Sequence, residues 1–318
     1  MSARHSLQAT SRTVHRGFFD AVLPPVITIE SGDVVELTTL SGSLAELPPA
    51  ASPFTVLPEH RAVLAEVPPG EGPHLMTGPI AVRGAEPGDE LVVEMLAVAL
   101  LQDWGWNLQL PDKGTLPEHF SQPRLMHVGI DRGRGIVTMP WGLQLAAAPF
   151  FGVVGVAPPP EMGRITSVIP GAFGGNIDNR HLGAKGILHL PVLNAGGLLS
   201  VGDGHALQGD GEVCLTAIET ALSGTLRITL KKATGIARPW AETPAHFITM
   251  AFDPDLDAAA ASAVLEMVKL IEREGGLSAA DAYTLCSIAA DVHATQLVNV
   301  AKGIHVMVRK ELVAGPPA

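Results

Sequence analysis

Short apolar segments separated by turn-forming residues recur along the first 240 residues, and this pattern limits the possible folds most strongly. Apolar and polar residues alternate in a strand-like way within seven segments, at 13–15, 26–29, 34–37, 78–82, 91–95, 136–139 and 213–230. Period-two alternation predicts half-buried β-strands. Glu86-Pro87-Gly88-Asp89 predicts a tight turn, because proline presets φ and glycine accepts the left-handed conformation. The 34 Gly and 26 Pro suit many turns of this kind. The pattern therefore predicts a β-rich body over residues 1–240, arranged as a sandwich or barrel.

The last quarter of the chain has a different pattern. Residues 255–274 are rich in alanine and carry apolar residues at helical spacing, and Gly275-Gly276 is expected to end this helix. Ser278 with Asp281 predicts the cap of a second helix that runs to about residue 290. Buried strands are predicted at 247–252 and 303–308. We therefore predict an α+β fold in which an α/β section, residues 241–318, packs on the β-rich body.

Two stretches lack clear periodicity and are predicted to be loops. Residues 41–72 are rich in Pro, Ala and Ser, and residues 103–124 carry Trp104 and Trp106. Long segments of this kind are usually functional or disordered.

Composition excludes several classes of function. The formal net charge is −11 with no basic stripe, which argues against a nucleic-acid partner. The two cysteines, Cys214 and Cys286, form no Cys-x-x-Cys pair, so neither a zinc finger nor a disulfide framework is expected. No apolar run is long enough for a membrane span, and residues 1–16 lack the apolar core of a secretory signal. We expect a cytoplasmic protein that binds no membrane.

Residues 201–212 are the richest in chemical groups. This segment, VGDGHALQGDGE, holds two aspartates, one histidine, one glutamate and four glycines, and follows the predicted strand 186–193. Carboxylates and an imidazole bind divalent metals or move protons. We predict a polar, tightly turning loop. An ordinary hairpin turn remains the alternative, because Asp-Gly is a common turn dipeptide. The spacing does not fit an EF-hand, since a histidine stands where that loop needs oxygen.

Several segments together resemble the acetamidase/formamidase family. They occur in the family's order along nearly the whole chain: Thr13–Asp20, Gly78–Ala85, Asp103–Trp106, Gly174–Asp178, Gly202–Glu212, and Thr295–Asn299 with Lys302–His305. The resemblance implies an oligomeric intracellular amidohydrolase that releases ammonia from small aliphatic amides. It also implies a β-rich fold with an α/β C-terminal part and an associated divalent metal.

Two departures from the family pattern bear on the substrate. The family usually has tryptophan where this chain has Arg16. The segment after Trp106 is shorter and reads Asn107-Leu108-Gln109-Leu110-Pro111, without the expected Gly-Phe-Gly. This segment is predicted to line the site.

Amide hydrolysis needs an activated water or nucleophile, stabilisation of an oxyanion and a proton for the leaving amine. The chain has no Gly-x-Ser-x-Gly motif and neither cysteine has a reactive setting, so a water activated by a divalent metal, zinc or calcium, fits best. The candidate metal ligands are His205, Asp178, Asp203 and His74. Three of them have a structural alternative: a turn-bonded histidine for His205, an Asx turn for Asp178 and an exposed loop residue for His74.

Other residues are candidates for proton transfer and substrate binding. Glu212 is the candidate general base, with Asp210 as a second candidate catalytic residue; a solvated strand residue is the alternative for Glu212. The candidate substrate-binding residues are Asn176, Asp103, Trp104 and Trp106, and ordinary packing is the alternative for the two tryptophans.

Two broader alternatives remain open. The chain could be a metal- or ligand-binding protein that has lost turnover, or it could hydrolyse a larger amide.

The composition, 47% hydrophobic and 17% charged, predicts a homo-oligomer, with a dimer as the first expectation.

Overall fold

A computed structural model describes residues 2–313, and over these residues the chain forms 22 β-strands and four α-helices. In the first half of the chain the elements are β1 (Arg4–Leu7), β2 (Val14–Arg16), β3 (Phe18–Phe19), β4 (Ile27–Ile29), β5 (Asp33–Thr39), α1 (Pro58–Glu66), β6 (Leu75–Val82), β7 (Glu90–Leu100), β8 (Trp104–Gln109), β9 (Arg124–Asp131), β10 (Ile136–Thr138), β11 (Gln144–Ala146) and β12 (Phe150–Gly155). In the second half they are β13 (Ile165–Thr166), β14 (Gly174–Asn176), β15 (Ile187–Pro191), β16 (Leu199–Leu207), β17 (Ile218–Glu219), β18 (Leu222–Lys231), β19 (Trp240–Glu242), β20 (His246–Asp253), α2 (Leu256–Gly275), α3 (Ala279–Ala289), β21 (Ala290–Gln296), β22 (Lys302–Arg309) and α4 (Lys310–Val313).

Two large sheets organise the molecule. The first has nine strands in the order β1-β5-β18-β7-β15-β19-β20-β22-β21. The second has eleven: β11-β10-β9-β8-β17-β16-β12-β14 form its main path, β6 pairs with β16, and β2 and β4 pair with β6. Strands β3 and β13 form a separate pair. Most neighbours in the sheets are distant in sequence, so the fold rests on non-local pairing.

The main core contains apolar side chains from both sheets. Val35 of β5 and Val93 of β7 belong to the same buried cluster as Phe151 of β12 and Val201 of β16, and all four are fully buried. This arrangement confirms the predicted α+β class with a β-rich, sandwich-like body.

The C-terminal section follows the sequence prediction closely. Asp255 caps α2 by accepting hydrogen bonds from Asp257 N and Ala258 N, and Gly276 ends the helix in the left-handed conformation. Ser278 caps α3 by accepting a hydrogen bond from Asp281 N. A second core cluster joins α2 and α3 to β20 and β22. The boundary proposed at 240/241 falls within β19, which pairs with β15 on one side and β20 on the other, so a single sheet continues across it.

Three local predictions were wrong. Residues 103–124 were expected to be a loop, but Trp104–Gln109 form β8, paired with β9 over six residues. Residues 41–72 contain the helix α1. Residues 201–207 belong to the strand β16, and only the segment after it turns. Distant partners impose these strands, and such pairings leave no periodic signal in the local sequence.

The glycines beside Asp203 explain why GDGH forms a strand here. A Cβ at Gly202 would lie 2.4 Å from Leu75 O, and one at Gly204 would lie 2.5 Å from Thr220 O. These glycines therefore let neighbouring strands approach closely, with Asp203 between them.

Over residues 2–313, no helix has both the length and the apolar character needed to cross a membrane.

Candidate functional site

A cavity of about 400 Å³ lies beside the second sheet. Its polar part is formed by His74, Asn176, Asp178, Asp203, Glu212 and Glu219. Apolar side chains supply most of the remaining lining surface, including Leu40, Leu75, Leu108, Leu110 and Leu215, and further polar residues such as Arg16, Lys113 and Asn299 also line it. A mostly apolar cavity with a few converging polar groups is the usual form of a small-molecule site.

Four segments bring the polar groups together. Asp203 and His205 are two residues apart on β16, Glu219 is on β17, Asp178 follows β14, and Glu212 lies in the segment after β16. His205 pairs with Glu219 across the β16–β17 ladder. Strand pairing therefore places groups from separate parts of the chain at one point.

His205 is the centre of the cluster and is 1% exposed. Its Nε2 lies 3.1 Å from Asp203 Oδ2 and 3.2 Å from Glu219 Oε1. Its Nδ1 lies 2.9 Å from Gln208 Oε1. Gln208 Nε2 donates to Asp178 O at 2.8 Å, which orients the amide so that Oε1 accepts the Nδ1 proton. In the neutral imidazole the Nε2 lone pair then points at two carboxylate oxygens, an arrangement that requires a proton or a cation between them.

The donor set fits a divalent cation. Candidate ligand atoms of Asp178, His205 and Glu212 lie within 4.8 Å of one another, and so do those of Asp203, His205 and Glu219. Asp178 Oδ1 is buried without a hydrogen-bond partner among residues 2–313, whereas Asp178 Oδ2 accepts from Asn299 Nδ2 at 2.9 Å. An unpartnered buried carboxylate oxygen is costly. A cation at this point would satisfy it.

Gly152 keeps this space open. A Cβ at Gly152 would lie 2.6 Å from Asp203 Oδ2, 2.7 Å from Asp178 Oδ1 and 2.8 Å from His205 Cε1. Any larger residue would therefore collide with three members of the cluster.

Three of the carboxylates have an uncommon backbone conformation. The φ angle is 53° at Asp178, 55° at Asp203 and 44° at Glu212. Positive φ is uncommon outside glycine and costs on the order of 1–3 kcal/mol where the structure imposes it. Strain at three converging acids points to a functional rather than a packing role.

Burial and mutual repulsion change the acidities of the cluster. Burial, together with the charge of Asp203, raises the pKa of Glu219 to about 8 and that of Asp178 to about 7. Burial also raises the pKa of Glu212, helped by the charge of Asp178. Burial alone would raise the pKa of Asp203, but the charges of His205 and His74 overcome it and lower that pKa. Perturbed acidities of this kind are typical of functional sites.

His74 contacts the cluster from the cavity wall. Its Nδ1 lies 2.8 Å from Ser167 Oγ and its Nε2 lies 3.9 Å from Asp203 Oδ2. Burial lowers the pKa of His74. His74 is outside both groups whose ligand atoms converge within 4.8 Å.

The predicted substrate-binding residues divide into two pairs. Asn176 and Trp106 line the cavity, and both are buried with one polar atom unpartnered among the described residues, Oδ1 and Nε1 respectively. Asp103 and Trp104 are not among the lining residues: Trp104 is fully buried, its Nε1 donates to Thr55 O at 3.0 Å, and Asp103 Oδ1 accepts from Thr55 N. The segment around Thr55 thus covers both.

Asp210 also lies away from the cavity. It is exposed, and its Oδ2 lies 3.2 Å from His293 Nδ1.

The two departures from the family pattern, by contrast, are at the cavity: Arg16, Leu108 and Leu110 line it.

The sequence analysis missed three residues of the cluster: Glu219, Gln208 and Asn299. Glu219 had a readable signal, since it is the one acid within the apolar run Ala217–Leu222. Gln208 lies within the 201–212 segment, but an uncharged amide offers no ligand chemistry that would single it out. Asn299 lies in one of the segments that carry the family resemblance, yet its contact with Asp178 joins positions 121 residues apart.

Comparisons with known proteins agree on one family. The model of the acetamidase/formamidase family matches residues 4–168 and 163–309. A formamidase of Methylophilus methylotrophus is 31% identical over 200 residues, which cover 46% of this chain and 49% of that protein. The chain spans about half the length of the curated relatives it matches.

Solved structures resemble the chain over nearly its full length. An acetamidase from Bacillus halodurans is 30% identical with a TM-score of 0.82, covering 96% of this chain and 97% of that one. A recombinant predicted acetamidase/formamidase from Thermoanaerobacter tengcongensis is 28% identical with a TM-score of 0.85, covering 97% and 96%.

Proposed function

The chain belongs to the acetamidase/formamidase family, and on this premise we propose that it hydrolyses the C–N bond of an aliphatic amide and releases ammonia. The proposed site is the cluster of Asp178, Asp203, His205, Glu212 and Glu219 at the cavity. The observation that carries the proposal is the convergence of these acids on His205 Nε2 with Asp178 Oδ1 unpartnered.

We propose that a divalent cation binds this cluster. Zinc is favoured over calcium, because His205 supplies an imidazole nitrogen whereas calcium takes oxygen ligands. A bound divalent cation would polarise the amide carbonyl and lower the pKa of a water molecule. His205 and Asp203 are the proposed principal ligands, with Asp178 as a third. Gln208 fixes the His205 tautomer by accepting the Nδ1 proton.

Glu212 is the proposed group that moves the proton. It lines the cavity, and burial keeps its pKa well above the usual range for a carboxyl. A carboxyl of raised pKa can accept a proton from water near neutral pH and then donate it to the leaving amine. Because Asp210 is exposed and pairs with His293, it has no part in this proposal.

The size of the cavity favours a second candidate substrate class. A volume of about 400 Å³ exceeds what formamide or acetamide needs, since a water molecule occupies only about 30 Å³ of liquid. Leu108, Leu110 and Leu215 give the cavity an apolar wall, and only Trp106 of the two tryptophans predicted to bind the substrate reaches the cavity. An amide with a longer apolar acyl group therefore fits this cavity at least as well as formamide or acetamide does.

An ammonia-release assay on chelator-treated and zinc-reloaded protein tests the proposal. The panel contains formamide, acetamide, propionamide and hexanamide. Release that requires zinc supports the proposed reaction, and faster turnover of hexanamide selects the larger-amide class. Protein that binds zinc tightly but releases no ammonia from any of the four amides would instead be a non-catalytic binder.

Glu212→Gln tests the proton-transfer role in the same assay. We expect zinc binding to persist and kcat to fall by about 10²- to 10⁴-fold, the usual contribution of general acid–base catalysis. Glu118→Gln, at an exposed position, is the matched control. An unchanged kcat in Glu212→Gln would limit Glu212 to a structural role.

We also propose a homo-oligomer, with a dimer as the first expectation. Large apolar side chains are exposed on α3 and the sheet-edge strand β21: Tyr283 is 65%, Ile288 is 76% and Val292 is 52% exposed. Clustered exposed apolar groups are typical of protein interfaces. Light scattering that gives only the 33.2 kDa mass of one chain at micromolar concentration would contradict it. Cytoplasmic location stays a prediction of the sequence.

A further inference from the structure

A second group of metal-binding side chains lies outside the cavity. Candidate ligand atoms of His181, Asp210 and His305 lie within 4.8 Å of one another. None of these three residues lines the cavity. They come from three parts of the chain: His181 follows β14, Asp210 follows β16, and His305 is on β22.

His305 has a free ring nitrogen in a fully buried position. The residue is 0% exposed, and its Nδ1 lies 2.7 Å from Thr295 Oγ1. Its Nε2 has no hydrogen-bond partner among residues 2–313. A buried polar atom without a partner costs about 1–3 kcal/mol and requires an explanation.

Two further histidines lie against the ring of His305. The ring of His181 meets that of His305 edge to face, with centroids 5.3 Å apart. The ring of His293 stacks on His305 with centroids 4.9 Å apart and an interplanar angle of 6°. His293 Nδ1 lies 3.2 Å from Asp210 Oδ2.

We propose that His181, Asp210 and His305 bind a zinc ion at a second site, separate from the cavity cluster. Two imidazoles and one carboxylate are a preferred zinc donor set, and the exposed side of Asp210 leaves the fourth tetrahedral position to water. His293 acts through Asp210, as the outer partners of metal ligands usually do.

The second site is connected to the cavity cluster through one segment. Asp210 and Glu212 are two residues apart, so the segment after β16 contributes one side chain to each cluster. Gly211 N donates to Thr295 O at 3.1 Å, and Leu297 N donates to Gly211 O at 2.9 Å. A zinc ion held by Asp210 and His305 would therefore fix the segment that carries Glu212.

Zinc titration of chelator-treated, tag-free protein tests the second site. Isothermal titration measures the stoichiometry and affinity of the wild-type chain and of His181→Gln and Asp210→Asn. The controls are His119→Gln and Asp291→Asn, which change exposed residues of the same types. We expect both variants to bind one zinc fewer per chain than the wild type, and both controls to match the wild type.

His293→Gln provides a graded readout, because loss of an outer partner typically weakens metal affinity about 10- to 100-fold. Cobalt substitution provides a spectroscopic readout. The visible absorption of cobalt bound at this tetrahedral nitrogen–oxygen site should be lost in His181→Gln, in proportion to the cobalt that no longer binds. Unchanged zinc stoichiometry and affinity in either His181→Gln or Asp210→Asn would overturn the proposal. Since every readout is metal binding, failure of the ammonia assay leaves this test unaffected.

Discussion

At the scale of single residues, uncharged neighbours fix the geometry of the cavity cluster. Gln208 accepts from His205 Nδ1 and donates to Asp178 O, so one amide side chain orients two members of the cluster. Gly152 leaves the space in which Asp178, Asp203 and His205 meet. Neither residue can bind a metal strongly itself, yet both limit how the ligands are arranged.

Gln208→Leu should weaken metal binding while leaving every proposed ligand in place. Leucine offers no acceptor for the His205 Nδ1 proton, so the tautomer and ring orientation are no longer fixed. Loss of such a partner typically costs about 10- to 100-fold in metal affinity. Competition with a chelator of known affinity measures the change. Gln144→Leu, on an exposed part of β11, is the control, and equal affinities in the two variants would contradict this role.

Gly152→Ala should disrupt the cluster by adding a single methyl group. The new Cβ would lie 2.6–2.8 Å from three side-chain atoms, closer than real Cβ contacts allow. Overpacking of this kind typically costs about 1–3 kcal/mol, and we expect loss of zinc binding and of ammonia release. Gly129→Ala, where the nearest atom is 3.8 Å away, should retain both. Wild-type zinc affinity in Gly152→Ala would show that the cluster relaxes around the methyl group.

Residue chemistry predicted part of the candidate site from the sequence alone. Asp178, Asp203, His205 and Glu212 stood out because acids and an imidazole were spaced among glycines, and the structure brings all four together. Trp104 and Trp106 could not be told apart, since the cover that hides Trp104 comes from Thr55, 49 residues away. Glu219 and Asn299 reach the site only through pairings between distant segments.

At the scale of elements, the helices α2 and α3 were predicted with their ends, whereas the helix α1 and the strand β8 were missed. Local residues determine where α2 begins and ends and where α3 begins, namely Asp255, Gly276 and Ser278. The strand β8 was missed because its partners, β9 and β17, lie elsewhere in the chain. Local chemistry fixes where a helix ends, whereas a short strand depends on what pairs with it.

Gly276→Ala should destabilise the protein through the end of α2. The φ of Gly276 is 66°, and no atom lies within 4 Å of a Cβ built there, so only backbone strain is introduced. The expected loss in the free energy of unfolding is about 1 kcal/mol. Urea denaturation measures it. Gly133→Ala, which has no positive φ and only an ordinary contact, serves as the control. Equal stability of the two variants would mean that α2 ends differently in solution.

At the scale of the whole molecule, a buried polar ladder crosses the middle of the nine-stranded sheet. His189 of β15 contacts Glu90 of β7 through Nδ1 and Glu242 of β19 through Nε2. Its ring stacks on Trp240 with centroids 3.6 Å apart. Lys310 pairs with the second oxygen of Glu242. The ladder therefore joins the β-rich body to the C-terminal section across the proposed boundary.

Stability should fall in acid as Glu242 becomes protonated. The hydrogen bond from His189 and the pairing with Lys310 lower the pKa of Glu242 from 4.5 to about 2. A lowered folded-state pKa stabilises the fold above about pH 4.5, and this contribution is lost as the pH falls towards 2. Glu242→Gln should thus cost on the order of 2 kcal/mol at pH 6 and much less at pH 3. Urea denaturation at both values measures it, with Glu36→Gln as an exposed control; a cost independent of pH would rule out this linkage.

The pairing of strands distant in sequence has a consequence for how the chain is made. The cavity is lined by His74 from the first quarter of the chain and by Asn299 from its last part, and β5 must pair with β18 almost two hundred residues later. Large loops have to close before such strand pairs form, and loop closure costs chain entropy before the strand contacts offset it. Folding is therefore slow compared with that of a helical protein. While the ribosome is still adding residues, early strands such as β5 and β7 present unpaired edges that invite aggregation. The yield of active protein in a cell should therefore depend on synthesis rate and chaperone supply as much as on final stability.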